Sequence, residues 1–142
     1  MRIARFALVA LLLPFAVSSC GGDDDGGSTG PDTSVFGTYS LETVAGAGLP
    51  YIVLQAGVEK IEITAGSWRI NSDNTWSSSV SVRATNAAGQ TNTFVEPSAG
   101  TFTRSGNSFV FTDAEDASQQ TGSVSGDVLT IIDQAVAFTF RK

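Results

Sequence analysis

Apolar and polar residues alternate one by one along much of the chain after residue 35. In residues 76–85 the even positions carry Trp, Ser, Val, Val and Ala, and the odd positions carry Ser, Ser, Ser, Arg and Thr. Because successive side chains of a β-strand point to opposite faces, this pattern predicts a half-buried strand. Val136, Phe138 and Phe140 alternate in the same way with polar or small residues. No long stretch has the period of a helix, so we predict an all-β domain over residues 35–142.

Short polar segments rich in glycine, asparagine and aspartate separate the apolar stretches. Ser105-Gly106-Asn107 and Ser125-Gly126-Asp127 have the residue types that adopt the positive φ of tight hairpins. The sequence predicts about eight strands, over residues 36–44, 50–56, 58–70, 75–85, 91–104 with an interruption at Pro97, 107–113, 118–124, and 127–140 with a break near Asp133-Gln134.

Such a meander of hairpins predicts a single antiparallel up-and-down β-barrel, because closing the sheet removes its exposed edges. An open β-sandwich is the alternative. Within the third strand the apolar residues expected to point inward switch from odd positions, as at Ile63, to even positions, as at Trp68. This switch indicates a β-bulge, and we expect it at Gly66.

The amino terminus has the pattern of an exported protein. Arg2 and Arg5 precede an apolar run over residues 6–17, which is too short to span a bilayer, and residues 1–19 are therefore expected to be a signal peptide. Val17-Ser18-Ser19-Cys20 resembles the lipobox of bacterial lipoproteins. The resemblance implies that the thiol of Cys20 carries a diacylglyceryl group such as a palmitate-containing one, and two or more acyl chains anchor a protein stably to a membrane. The alternative is a plain secretory signal with an incidental free cysteine.

After Cys20, residues 21–34 contain no residue able to build a core, so residues 20–34 are predicted to be the lipidated cysteine and a flexible tether. The run Asp23–Asp25 is expected to be solvated rather than to bind calcium, because it lies between glycines and has no fixed geometry. Gly21 stands where an aspartate would signal retention at the inner membrane. By resemblance to lipoprotein sorting signals we predict the cell envelope, specifically the outer membrane, on its periplasmic or surface face.

The composition excludes several classes of function. Residues 20–142 carry six basic and fourteen acidic side chains, a net charge of −8, so we expect no nucleic-acid partner. The chain has no histidine, the commonest general base and metal ligand. Asp113 with Glu115 or Asp116 is the one conceivable catalytic carboxylate pair, in a segment that looks solvated. We therefore predict no enzymatic activity, no cofactor and no metal.

In the order of its motifs the domain resembles the small bacterial lipocalin-like lipoproteins. The motifs are Phe36-Gly37-Thr38-Tyr39, Gly46-Ala47-Gly48-Leu49-Pro50, the stretch from Trp68 to Trp76, Gly100-Thr101-Phe102 and Phe138-Thr139-Phe140-Arg141. In that family an aromatic residue near the first strand packs at the barrel base beneath a late arginine. The resemblance implies that Tyr39 and Arg141 form this closing pair through a cation–π contact.

An eight-stranded barrel can be wide enough to hold one small ligand, so we predict binding or carriage of a small hydrophobic molecule by a membrane-anchored protein. The alternative is a filled barrel that serves as a structural or interaction module for another envelope protein. Five aromatic side chains are candidates for the ligand site, although any of them could instead be core: Trp68, Trp76, Phe102, Phe109 and Phe111.

Overall fold

The computed structural model describes residues 35–142. The predicted signal peptide (residues 1–19), Cys20 and the linker (residues 20–34) lie outside the described residues. Ten strands follow one another: β1 (Gly37–Val44), β2 (Ala47–Gly48), β3 (Tyr51–Ala56), β4 (Glu59–Ile70), β5 (Thr75–Thr85), β6 (Thr91–Ser105), β7 (Ser108–Asp113), β8 (Gln119–Ser125), β9 (Val128–Asp133) and β10 (Val136–Arg141).

The sheet closes into a barrel because β1 has two long neighbours. On one edge it pairs with β10, where Leu41 is opposite Phe140. On the other edge its first half pairs with the end of β4, where Tyr39 is opposite Trp68. Strands β4 to β10 form an antiparallel meander between these edges, so eight strands make the closed barrel. The predicted up-and-down barrel is confirmed, and the alternative of an open sandwich is wrong.

The two remaining strands fill the space where β1 and β4 diverge. β2 pairs with the last residues of β1, and β3 pairs with the first half of β4. The stretch predicted as one interrupted strand over residues 127–140 is the hairpin of β9 and β10. Gln134 and Ala135 turn the chain there with φ of 45° and 69°. Neither is a glycine or asparagine, and so the sequence indicated a break rather than a reversal.

The predicted register change in β4 is present, but it lies before Gly66. The pairing of β4 with β5 shifts between Ile63 and Ala65, so Thr64 is the extra residue. Gly66 serves another purpose, because a Cβ there would lie 3.1 Å from Cδ2 of Leu41. The absence of a side chain at Gly66 lets Leu41 pack against the strand.

The interruption predicted at Pro97 is wrong, since β6 runs unbroken from Thr91 to Ser105. Pro97 pairs with Ser79 of β5, whereas the pairing of β6 with β7 begins only at Gly100. This part of β6 therefore has a strand on one side only, and proline is tolerated on such an edge because it needs no ladder donor there.

The barrel has two unlike ends. Both ends of the described chain lie at the first end, together with the turns that follow β4, β6 and β8. The turns after β1, β3, β5, β7 and β9 lie at the second end. Among the described residues, the ten strands form one sheet around one buried core. Within the same residues no helix is long and apolar enough to span a bilayer.

Candidate ligand-binding cavity

Aromatic side chains fill the barrel at its first end. The rings of Trp68 and Trp76 stack with centroids 4.4 Å apart, and the edge of Phe111 meets Trp68 at 5.0 Å. Phe109 stacks on Phe111 at 5.5 Å, and Phe102 contacts both phenylalanines. All five rings are buried. This cluster, which we call the aromatic plug, consists of the five residues predicted from the sequence as candidates for the ligand site.

Trp76 is held in the plug by backbone acceptors on two strands. Its Nε1 donates to the carbonyl oxygens of Thr101 at 3.1 Å and Thr112 at 3.2 Å. The indole can reach them because residue 100 is a glycine: a Cβ there would lie 1.9 Å from the Thr112 oxygen and 2.9 Å from Nε1 of Trp76. The plug is thus tied to the β6–β7 ladder by hydrogen bonds as well as by packing.

Above the plug, toward the second end, the barrel interior forms a cavity of about 540 Å³ that is open to solvent at its mouth. Most of its wall is apolar, and Trp68 is the one member of the plug that lines it. The other four predicted ligand positions belong to the core. Side chains from seven of the strands form the wall: Val53, Ile61, Ile63, Trp68, Ser78, Val80, Val82, Phe94, Glu96, Pro97, Ser98, Gln120, Ile131, Asp133, Phe138 and Phe140.

The polar groups of the cavity are few. Glu96 and Asp133 supply carboxylates, and both lie toward the second end, Glu96 exposed and Asp133 half-buried. The hydroxyl of Ser98 donates to Oδ2 of Asp113. Deeper in the barrel, Nε1 of Trp68 and Oε1 of Gln120 are buried, and neither has a hydrogen-bond partner. Two of the wall residues therefore carry polar atoms that the folded chain leaves unsatisfied.

Three residues of the cavity wall were not predicted from the sequence, namely Glu96, Asp133 and Gln120. A signal was present, because β-strand alternation places Glu96 on the same face of β6 as Phe94 and Ser98. Charged residues on an apolar face are a sign of a functional site. The predicted break at Pro97 obscured the alternation, since a break resets the parity of the residues on either side.

Large apolar side chains are exposed around the mouth of the cavity. Val53, Ile61 and Phe94 line the cavity and are 56%, 37% and 41% exposed. Further large apolar residues are exposed nearby, on β3 (Ile52 and Leu54), in the turn between β3 and β4 (Val58) and on β6 (Val95). Single exposed apolar residues are ordinary, whereas several large ones on neighbouring segments are a candidate interaction surface. We call these seven residues the apolar rim.

Glu62 is buried on the outer face of β4 and forms ion pairs with two basic side chains. Its Oε1 accepts from Lys60 Nζ at 3.1 Å and its Oε2 accepts from Arg83 Nε at 3.0 Å. The hydrogen bonds from Arg83 and then Lys60 lower the pKa of the Glu62 carboxyl below its usual value, despite the opposing effect of burial. Both basic side chains are therefore engaged outside the cavity.

The closing cation–π contact involves Lys142 and not Arg141. Nζ of Lys142 lies 5.5 Å from the centroid of the Tyr39 ring. Because Phe140 points inward, strand alternation directs Arg141 outward, and Arg141 pairs with Glu42 at 2.9 Å. Tyr39 is fully buried as predicted, and its hydroxyl donates to the carbonyl oxygen of Val35 at 2.7 Å.

The carboxylates of the 113–116 segment stabilise a turn. Asp113 Oδ1 accepts from the backbone N–H of Glu115 at 2.7 Å, and Asp116 Oδ1 accepts from that of Ser118 at 2.8 Å. The hydrogen bond from Ser98, followed by that from Glu115, lowers the pKa of Asp113. Among residues 35–142, no group of three or more histidine, cysteine or acidic side chains is placed to hold a metal ion.

No family model and no curated protein matches this chain. Among solved structures, the chain is similar to that of the Cpx pathway activator NlpE from Escherichia coli, with 26% sequence identity and a TM-score of 0.37. The match covers 58% of this chain and 40% of the NlpE chain.

Proposed function

We propose that this protein is a lipid-anchored protein of the bacterial envelope whose barrel binds or carries a small hydrophobic molecule and catalyses no reaction. The observation that carries the proposal is the cavity above the aromatic plug. Its volume of about 540 Å³ lies within the range of about 300–1,000 Å³ that is typical of small-molecule sites. Its mostly apolar wall with a few polar groups is also typical of such sites.

The division of the barrel into two parts supports this function over a completely filled barrel. The aromatic plug supplies the core that holds the strands together. Toward the second end, inward positions carry smaller residues such as Ser78, Val80 and Val82, which do not reach across the barrel. The same fold thus has a packed end for stability and an open end for a ligand.

The test is a titration of a soluble form beginning at Ser28 with the neutral apolar probe N-phenyl-1-naphthylamine. Probe emission and tryptophan quenching are followed together, because Trp68 lines the cavity and Trp76 stacks on it. We expect saturable binding with one probe per chain, accompanied by tryptophan quenching. Absence of saturable binding to the folded protein would refute ligand binding.

Two variants locate the bound probe. Val80→Phe adds bulk to the cavity wall, whereas Ser81→Phe adds the same side chain on the opposite face of β5. We expect Val80→Phe to weaken binding at least tenfold, or about 1.4 kcal/mol, and Ser81→Phe to leave the affinity within twofold. Equal effects of the two variants would place the probe outside the barrel.

The apolar rim favours a second candidate function, contact with another envelope protein. Val58 and Val95 are 62% and 58% exposed and do not line the cavity. If the rim binds a partner, Val58→Ser with Val95→Ser should abolish co-purification of that partner after cross-linking in cells and leave probe affinity unchanged. Retention of the partner by this double variant would refute the use of the rim.

The anchor is tested separately at Cys20. We expect the wild-type protein to incorporate labelled palmitate and to sediment with the outer membrane, and we expect Cys20→Ala to lose the label and leave the membrane fraction. Because Cys20 is the only cysteine, no other thiol can take the acyl chain. Labelling that persists in Cys20→Ala would refute this attachment site.

A further inference from the structure

The charges around the cavity narrow the class of ligand. Glu96 and Asp133 are the ionisable residues of the wall, and both are acidic. No lysine or arginine of the described chain lines the cavity. A ligand that enters it therefore meets negative charge without a basic side chain to balance it.

Each basic residue of the barrel is engaged elsewhere. Lys60 and Arg83 bind Glu62 on the outer surface, and Arg141 binds Glu42. The other three lie at the first end of the barrel, beyond the plug. There, Arg69 donates to Asn71, Arg104 lies over the ring of Phe109, and Lys142 lies over the ring of Tyr39. A carboxylate such as that of a fatty acid has no cation to pair with in this cavity, and pairing is what an anion needs when it leaves water.

The hydrogen-bonding groups of the wall agree with the charges. The two carboxylates accept only, and Oε1 of Gln120 is a buried acceptor without a donor. Ser98 uses its hydroxyl proton on Asp113, which leaves its oxygen as an acceptor toward other groups. Against the plug, Nε1 of Trp68 is a buried donor without a partner, so the excess of acceptors lies in the two carboxylates toward the mouth, where an ammonium group can donate up to three hydrogen bonds.

The charged and apolar parts of the wall are also separated along the barrel axis. Asp133 ends β9 beside the turn at the second end, and Glu96 is opposite Val80 in the half of β6 that extends past β7. Trp68 and Phe140 lie at the other limit of the cavity, against the plug. A bound molecule would place an apolar part on Trp68 and a charged part near the mouth.

We propose that the cavity selects cationic amphiphiles, molecules with an apolar body and an amine head, and that Glu96 and Asp133 contact the head. This inference rests on the proposed ligand-binding function and specifies its ligand class. The cavity has room for roughly 18 groups of about 30 Å³ each, which is more than the thirteen non-hydrogen groups of a twelve-carbon amine.

The test compares three ligands with the same twelve-carbon chain, namely dodecylamine, dodecanol and dodecanoate. Each displaces N-phenyl-1-naphthylamine from the soluble form beginning at Ser28, at neutral pH and below the concentration at which it aggregates. We expect dodecylamine to bind at least tenfold tighter than dodecanol, and dodecanoate to bind more weakly than dodecanol.

Two double variants assign the preference to the cavity. Glu96→Gln with Asp133→Asn removes both wall carboxylates, and Glu42→Gln with Asp127→Asn removes the same charge from residues outside the wall. We expect the first variant to lose at least tenfold of the preference for dodecylamine while dodecanol binding stays within threefold. The second variant should keep the wild-type preference.

The outcomes separate this inference from the function on which it rests. If neither the probe nor any of the three ligands binds, the proposed function fails. If the probe and dodecanol bind but dodecylamine has no advantage, ligand binding stands and the cationic class is wrong. If both double variants reduce the preference equally, the overall negative charge attracts the amine and the assignment to Glu96 and Asp133 is wrong.

Discussion

Gly100 allows β6 and β7 to pair closely and lets Trp76 stack on Trp68, which lines the cavity. Gly100→Ala is therefore expected to lower both the stability of the barrel and its affinity for a ligand. A Cβ at residue 100 would lie 1.9 Å from the carbonyl oxygen of Thr112, whereas ordinary contacts begin near 3.4 Å. Relief requires β6 and β7 to separate by about 1.5 Å, which is more than N–H···O bonds of 2.7–3.2 Å tolerate. The methyl group would also lie 2.9 Å from Nε1 of Trp76.

The magnitude follows from the hydrogen bonds that such a separation breaks. The donation by Trp76 Nε1 and about two bonds of the neighbouring β6–β7 ladder are at risk, and at about 1 kcal/mol each the loss is about 3 kcal/mol. Because Trp76 stacks on Trp68, we also expect the affinity for N-phenyl-1-naphthylamine to fall.

Urea unfolding followed by tryptophan emission measures the effect. With a slope of about 1.5 kcal/mol per molar urea, a loss of about 3 kcal/mol lowers the midpoint by about 2 M. The control is Gly48→Ala, because a Cβ at Gly48 meets nothing within 4 Å, and we expect a change of no more than about 0.5 kcal/mol. A loss below 1 kcal/mol for Gly100→Ala would falsify the steric argument, because the ladder would then have accommodated the methyl group.

Three further predictions concern the core, the buried carboxylate and the closing contact. Phe111→Ala should cost about 3–5 kcal/mol in urea unfolding, since its side chain is fully buried in the plug; a loss under 2 kcal/mol would mean that the plug collapses around the gap. The pKa of Glu62 is lowered in the folded state, so its stabilising effect is complete above the unfolded pKa of about 4.3 and is lost as the pH falls through the lower folded value. Unfolding measured from pH 7 to pH 3 should therefore show the advantage of wild type over Glu62→Gln shrinking in acid, and an advantage independent of pH would contradict the two ion pairs. Lys142→Ala should lower the free energy of unfolding by about 0.5–1 kcal/mol through the lost cation–π contact, and Arg141→Ala should lower it by less, because the ion pair of Arg141 is exposed. If thermal unfolding shows the reverse order, the assignment of Lys142 as the closing cation is wrong.

Much of the fold could be predicted from local patterns. The alternation over residues 76–85 identified β5 and its inward face, and that strand runs from Thr75 to Thr85. The opposite parities of Ile63 and Trp68 required a register change within β4, and one is present. These features are set by the two-residue period of a strand, so they can be read without knowing what the strand packs against.

Other features depended on contacts between distant parts of the chain. Gly66 was the natural candidate for the bulge, but Leu41 of β1 uses the space beside it, and the extra residue is Thr64. Tyr39 was correctly placed in the core, yet its cation is Lys142, because the inward position of Phe140 directs Arg141 outward.

The amino-acid sequence by itself determined an all-β meander, the inward faces of its strands and the signals that predict an anchor at Cys20. Only the tertiary structure decided that the barrel is packed at one end and hollow at the other. The physical reason is that an aromatic side chain on an inward face fills a barrel or lines a cavity according to what stands opposite it. Trp76 meets Trp68 and Phe111, whereas the smaller Ser78 and Val80 leave the space that Glu96 and Asp133 border.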